Sequence, residues 1–163
     1  QRQMCIRDSS GTAVRDKDAV VASMLICEMA AYYRKNGSSI KARLEEIYAK
    51  YGYYLNAVDS FSFPGLSGMD KMKGIMETLR KDSPKDFAGI AVKESLDYLD
   101  SEKTGLPKAN VLLYTLVNGE SIIVRPSGTE PKIKAYYTTL GKTKEEAKKE
   151  KEKLAKALQP IFS

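Results

Sequence analysis

The chain has 163 residues, 42% hydrophobic and 29% charged, with 27 Lys and Arg against 21 Asp and Glu for a net charge of +6. These are globular values that exclude wholesale disorder and predict a packed core of one domain, or of one small domain plus a piece of another. Histidine is absent and Cys5 and Cys27 are far apart, which excludes the usual zinc spacings and every Ser-His or Cys-His nucleophilic device, and makes a reduced cytoplasmic setting the expectation.

Gln1 to Ser10 shows neither helical nor strand periodicity and lacks the apolar core of a signal peptide. Residues 1–10 are therefore read as a doubtful, non-native segment, and Met4 to Ser9 resembles translated sequencing-adaptor read-through. From Gly11 the character changes. Asp16 or Asp18 caps a helix whose positions Val20, Met24, Cys27 and Ala31 form a stripe. Val21, Leu25 and Met29 widen it to most of the circumference, which predicts burial on more than one side. Its apolar run, Ala19 to Cys27, is too short to span a bilayer. Asn36-Gly37 ends this helix, Ser38 or Ser39 caps the next, and Leu44, Ile47, Tyr48 and Tyr51 mark the second apolar face before Gly52 stops it.

Tyr53 to Phe63 alternates as a strand into a Pro64-Gly65 turn, so a domain boundary falls near Gly52. Ser67 to Asp70 has the form of a capping box opening a helix with Met69, Met72, Ile75, Met76 and Leu79 on one face. Phe87 to Val92 is a short strand, and Lys93 to Ala109 reads as a long polar surface loop. Val111 to Val117 and Ser121 to Arg125 flank Asn118-Gly119, the strongest short hairpin signal in the chain. Lys132 to Thr138 is a further strand, with Ile133, Ala135 and Tyr137 on one face and Lys132, Lys134 and Tyr136 on the other. Thr143 to Glu146 is a full capping box for a last helix with apolar positions Ala147, Leu154, Leu158 and Ile161. This order implies an α+β fold: two helices ending an α/β domain, then a mostly antiparallel sheet with helices on one face.

The most chemical stretch is Arg125-Pro126-Ser127-Gly128-Thr129-Glu130-Pro131, a loop between two strands. Ser127 and Thr129 offer hydroxyl donors, Gly128 lets a ligand approach the backbone, and Arg125 supplies a planar fork of donors suited to phosphate oxygens. A plain connecting turn is the alternative, because Pro, Ser, Gly and Thr are common turn residues.

Three stretches together resemble the phosphohexomutase family, the phosphoglucomutases and phosphomannomutases: Gly11 to Val20, Phe63-Pro64-Gly65-Leu66-Ser67-Gly68-Met69, and Arg125 to Pro131. The likeness is closest to the larger bacterial phosphoglucomutase type. It implies that this chain is the C-terminal part of an enzyme interconverting hexose 1-phosphate and hexose 6-phosphate through a hexose 1,6-bisphosphate. Residues 11–51 would end its third α/β domain, and residues 52–163 would form a fourth that grips the phosphate not being transferred. The implied phosphate-binding residues are Arg125, Ser127, Gly128 and Thr129, with Lys134 standing where many relatives carry an arginine. Lys17 is a candidate sugar-phosphate contact, with capping or ion pairing as its other reading. The implied partners are a phosphorylated hexose and the enzyme's N-terminal domains, not nucleic acid or membrane. The chain shows no phosphoserine loop and no Asp-Gly-Asp-x-Asp stretch for the magnesium that the intact enzyme would use, so no catalytic or metal residue is expected here and the chain alone is expected to be inactive. The competing reading is a free-standing anion or single-stranded nucleic-acid binding module, compatible with ten tyrosines and the basic balance.

Overall fold

The computed structural model describes residues 18–162, which fall into two compact units meeting at Tyr51 and Gly52. Gly11 to Lys17, including Asp16 and the candidate contact Lys17, lie outside the described residues, as do Gln1 to Ser10.

In the first unit, helix α1 (Ala19–Lys35) is capped by Asp18, whose Oδ1 accepts from the N–H groups of Val20 and Val21 at 3.1 and 3.0 Å. Helix α2 (Ile40–Tyr51) follows a turn in which Gly37 takes φ +70° and Ser39 Oγ accepts from Ala42 N. The burial expected for α1 is not found: Val20 and Met24 are 72% and 66% exposed, and neither helix has a buried residue. A pair of helices cannot cover a helix that is apolar around most of its circumference.

The second unit is a six-stranded sheet in the order β1-β6-β5-β4-β3-β2, antiparallel at every pairing. Its strands are β1 (Tyr53–Ser62), β2 (Asp86–Phe87), β3 (Ile90–Asp97), β4 (Leu112–Leu116), β5 (Ser121–Pro126) and β6 (Lys132–Gly141). Helix α3 (Gly68–Lys81) links β1 to β2, α4 (Ser101–Thr104) is a single turn after β3, and α5 (Lys144–Leu158) follows β6 and runs into a 3-10 turn at Gln159–Ile161. The sheet alternates cleanly. Leu112, Tyr114, Leu116, Ile122, Val124, Ile133, Ala135 and Tyr137 are buried and form one core with Met72, Met76 and Leu79 of α3 and Leu154 and Leu158 of α5. Both long helices therefore cover one face, as the α+β reading expects.

Three local expectations are corrected. Ser67 makes no capping bond, because it is itself in the α region of a turn closed by Gly68 N to Gly65 O. Met69 is 36% exposed and leaves the buried stripe to Met72, Met76 and Leu79. Phe87 to Val92 is not one strand, nor Lys93 to Ala109 all loop: a turn separates β2 from β3, and β3 continues through Lys93 to Asp97, paired with β4 across a bulge between Val92 and Glu94. The β2–β3 hairpin turns through Ala88 and Gly89 with φ +53° and +79°. An alanine in that first position gives no turn signal, since asparagine, aspartate or glycine usually occupies it.

Half-buried and buried polar groups join the elements. Lys151 of α5 bonds both carboxylate oxygens of Asp59 on β1 at 2.7 and 2.8 Å and lies 5.3 Å from the centre of the Tyr137 ring. Glu120, in the β4–β5 turn, is 2% exposed, and its Oε1 accepts from Leu140 N, extending the β5–β6 ladder past its last strand residue. Burial pushes the Tyr114 hydroxyl up to about 12, and it raises Tyr137 further.

Candidate anion site

The β5–β6 connection carries the loop that the sequence singles out. It is folded on itself: Ser127 N donates to Lys132 O and Lys132 N to Glu130 O, both at 2.8 Å, while Ser127 Oγ accepts from the N–H groups of Thr129 and Glu130 at 3.4 and 3.3 Å. With its oxygen engaged as acceptor, the Ser127 hydroxyl has its proton left to donate outward. Several loop N–H groups are thus spent locally, and the Gly128 N–H is the one with no acceptor among the described residues. A Cβ placed on Gly128 would meet nothing within 4 Å, and its φ lies outside the left-handed region. Neither strain nor crowding within the chain calls for glycine at this position.

A second segment holds the loop from behind. Phe63 N donates to Pro131 O at 2.8 Å, and a Cβ on Gly68 would lie 3.0 Å from Pro131 Cβ and 1.9 Å from Phe63 O. The Phe63 to Gly68 turn and the Arg125 to Pro131 loop, two of the three stretches behind the family resemblance, are therefore packed together.

The register decides which side chains share the site. Arg125 pairs directly with Lys134 across β5 and β6, and Lys134 pairs with Ser60 on β1. All three lie on the sheet face opposite the helices, and Arg125 and Lys134 are exposed. Like charges directly opposed on a sheet destabilise each other. Among the described residues neither cation has a carboxylate within ion-pair distance, and the nearby Glu130 is held by Lys132 at 2.8 Å. Two cations without a carboxylate partner among the described residues thus stand at the end of the sheet where the loop carrying Ser127, Gly128 and Thr129 joins β5 to β6, a donor set suited to a phosphate-sized anion. The recesses described elsewhere, about 310 Å³ beside Asp59, Phe61 and Lys151 and about 140 Å³ beside Arg80 and Asp97, lie away from this loop. Ser60 was not legible in the sequence, because no local pattern reveals that β1 pairs with a strand more than 70 residues later.

The Lys132 hydrogen bond, then its charge and that of Lys134, hold the Glu130 carboxyl below the usual carboxylate range. A carboxyl with a depressed folded pKa contributes its contact above the unfolded pKa, and the contact is lost as pH falls through the folded value. Lys132→Met should move the Glu130 titration, followed by carboxyl NMR, back up toward the ordinary range. An unchanged midpoint would show that the latch does not form.

The profile of the phosphoglucomutase/phosphomannomutase C-terminal domain matches residues 72–157, more than half of the chain and including the whole anion loop. The chain belongs to this family. It is 39% identical over 135 residues to a phosphoglucomutase of Staphylococcus aureus (strain MSSA476), an alignment covering 77% of this chain and 24% of the relative. It is 31% identical over 134 residues to a probable phosphomannomutase of Haemophilus influenzae, covering 82% of this chain and 26% of the relative. The fold is also that seen in the open form of parafusin, a phosphoglucomutase from Paramecium, with TM-score 0.61 and 18% identity over 91% of this chain and 27% of that one. The chain thus spans about a quarter of the length of these relatives, as expected of the C-terminal portion of such a protein.

Proposed function

We propose that this chain is the phosphate-gripping C-terminal part of a phosphohexomutase, an isomerase that moves phosphate between the 1 and 6 positions of a hexose. Its role is to hold the phosphate that is not transferred. The observation that carries this reading is the unneutralised cross-strand pair Arg125 and Lys134 beside the Ser127 to Thr129 loop. Arg125 would grip two phosphate oxygens through its fork, Lys134 would supply a second charge, and Ser127, Thr129 and the Gly128 N–H would orient the remaining oxygen. This is positioning chemistry: it fixes the far end of the substrate so that its other end meets the reactive group in a defined geometry.

Among the described residues no three His, Cys, Asp or Glu side chains come together to hold a metal. On the family reading, the magnesium of the intact enzyme, its phosphoserine and the choice between glucose and mannose would belong to other parts of a longer protein. No described helix is long and apolar enough to cross a membrane, and we infer a cytoplasmic setting from the phosphorylated substrate.

Parallel titrations of the chain with glucose 6-phosphate and with a single-stranded oligonucleotide test this reading. Saturable binding of the sugar phosphate, without a steeply salt-dependent response to the oligonucleotide, is expected. The reverse pattern would replace it with a nucleic-acid binding module.

A further inference from the structure

The sheet face opposite the helices carries a second feature beside the cations. Two residues further along β6 from Lys134, on the same face, stands Tyr136, which pairs with Ile123 on β5 and Val58 on β1. Ile123 in turn pairs with Leu113 on β4, and Leu113 with Leu96 on β3. An apolar row thus crosses five strands directly beside the Arg125, Lys134 and Ser60 row. Val58 is 52% exposed, and Tyr136 and Ile123 are only half-buried. The next row on the same face is polar: Thr138 pairs with Ser121 on one side and Asn56 on the other, and the Thr138 hydroxyl donates to Asn56 Oδ1 at 3.0 Å. That bond leaves the Asn56 amide nitrogen to donate elsewhere. Successive rows are about 6.7 Å apart, two residues of strand.

The order cation, apolar ring, polar donor matches the order of groups in a phosphorylated sugar: a dianion, a ring with a C–H face, and distal hydroxyls. We propose that Tyr136, flanked by Val58 and Ile123, is the floor on which the sugar ring of the bound phosphate ester rests, with Thr138 and Asn56 facing its far hydroxyls. This rests on the phosphate-grip reading and adds a positioning surface to it. The cation row fixes where the phosphate sits; on the same face one row to one side lie Ser62 and Lys132, whose ammonium is held by Glu130, and one row to the other lies the aromatic strip, which of the two offers the apolar surface a sugar ring needs. A flat, half-exposed ring with aliphatic neighbours favours the apolar face of a pyranose and provides no charge of its own to compete for the phosphate.

The test compares inorganic phosphate with glucose 6-phosphate as titrants of the 163-residue chain and its variants, with Kd values read from amide shifts. In the unaltered chain the sugar phosphate should bind more tightly than phosphate. Tyr136→Ala should remove about three- to tenfold of that advantage while leaving the phosphate Kd unchanged, and Tyr136→Phe, which keeps the ring, should preserve it. Because Tyr136 is on the uncovered face, Tyr136→Ala opens no core cavity, and its melting temperature serves as the folding control. If Tyr136→Ala folds and keeps the full advantage, the floor is wrong and the phosphate grip stands. If Arg125→Ala leaves both ligands' Kd values unchanged, the phosphate grip itself is wrong and the floor falls with it.

Discussion

Gly68→Ala is expected to cost the C-terminal unit about 3 kcal/mol, the upper part of the range for overpacking a well-filled site. The added methyl would lie 1.9 Å from the Phe63 carbonyl oxygen and 3.0 Å from both Phe63 C and Pro131 Cβ. None of these can yield cheaply: the Phe63 ring is in the core, its N–H is bonded to Pro131 O, and Gly68 begins α3. The gain of a better helix former, up to about 1 kcal/mol, does not offset a contact this short. For a unit of this size the melting temperature should fall by roughly 12 °C or more. The effect should also reach the anion loop, because Pro131 must move with Phe63. A melting temperature within about 2 °C of the parent would mean that the turn relaxes freely and does not brace the loop.

The second large effect is on binding. Arg125→Ala removes the one planar, permanently charged donor in the loop and should weaken glucose 6-phosphate binding by about 10- to 100-fold, the equivalent of about 1.5–3 kcal/mol for charge-assisted hydrogen bonds. Stability should be unchanged or slightly improved, because the exposed Arg125 faces Lys134 and not a carboxylate. Gly128→Ala separates the same two quantities. Its methyl meets nothing in the chain, so folding should be unaffected, whereas an anion seated against the Gly128 N–H would be displaced. Calorimetric titration with thermal melts of both variants decides this. Lost stability in Gly128→Ala with unchanged affinity would return the loop to an ordinary connecting turn.

Much of the sheet was legible in the sequence, for a physical reason. β4, β5 and β6 each bury one face and β1 half-buries one, so alternation at positions such as Ile133, Ala135 and Tyr137 is written into the residues. Asn118-Gly119 encodes its own turn, with Gly119 at φ +87°. The capping threonine of α5 likewise declares itself, Thr143 Oγ1 accepting from Glu146 N at 3.1 Å. What did not show is whatever depends on partners distant in the chain. The extension of β3 through Lys93, Glu94 and Ser95 is polar because one side of that strand is uncovered, and only its pairing with β4 reveals it. The burial expected of Val20 and Met24 depends on neighbours that α1 and α2 do not supply.

The site divides along the same line. Arg125, Ser127, Gly128 and Thr129 are contiguous, so their chemistry is visible as a motif. Lys134 could be placed on a strand face by counting, but its pairing with Arg125 is a fact of register. Ser60 and Tyr136 join the same surface only because β6 lies between β1 and β5.

The central claim is that the β5–β6 loop and its cross-strand cations bind the phosphate of a hexose phosphate. Backbone amide NMR of the isotopically labelled chain, titrated with glucose 6-phosphate, tests it most directly. The account predicts saturable shifts concentrated between Arg125 and Lys134, with Ser60 responding across the sheet. Shifts confined to the lysine-rich α5 helix, or none at saturating ligand, would contradict it.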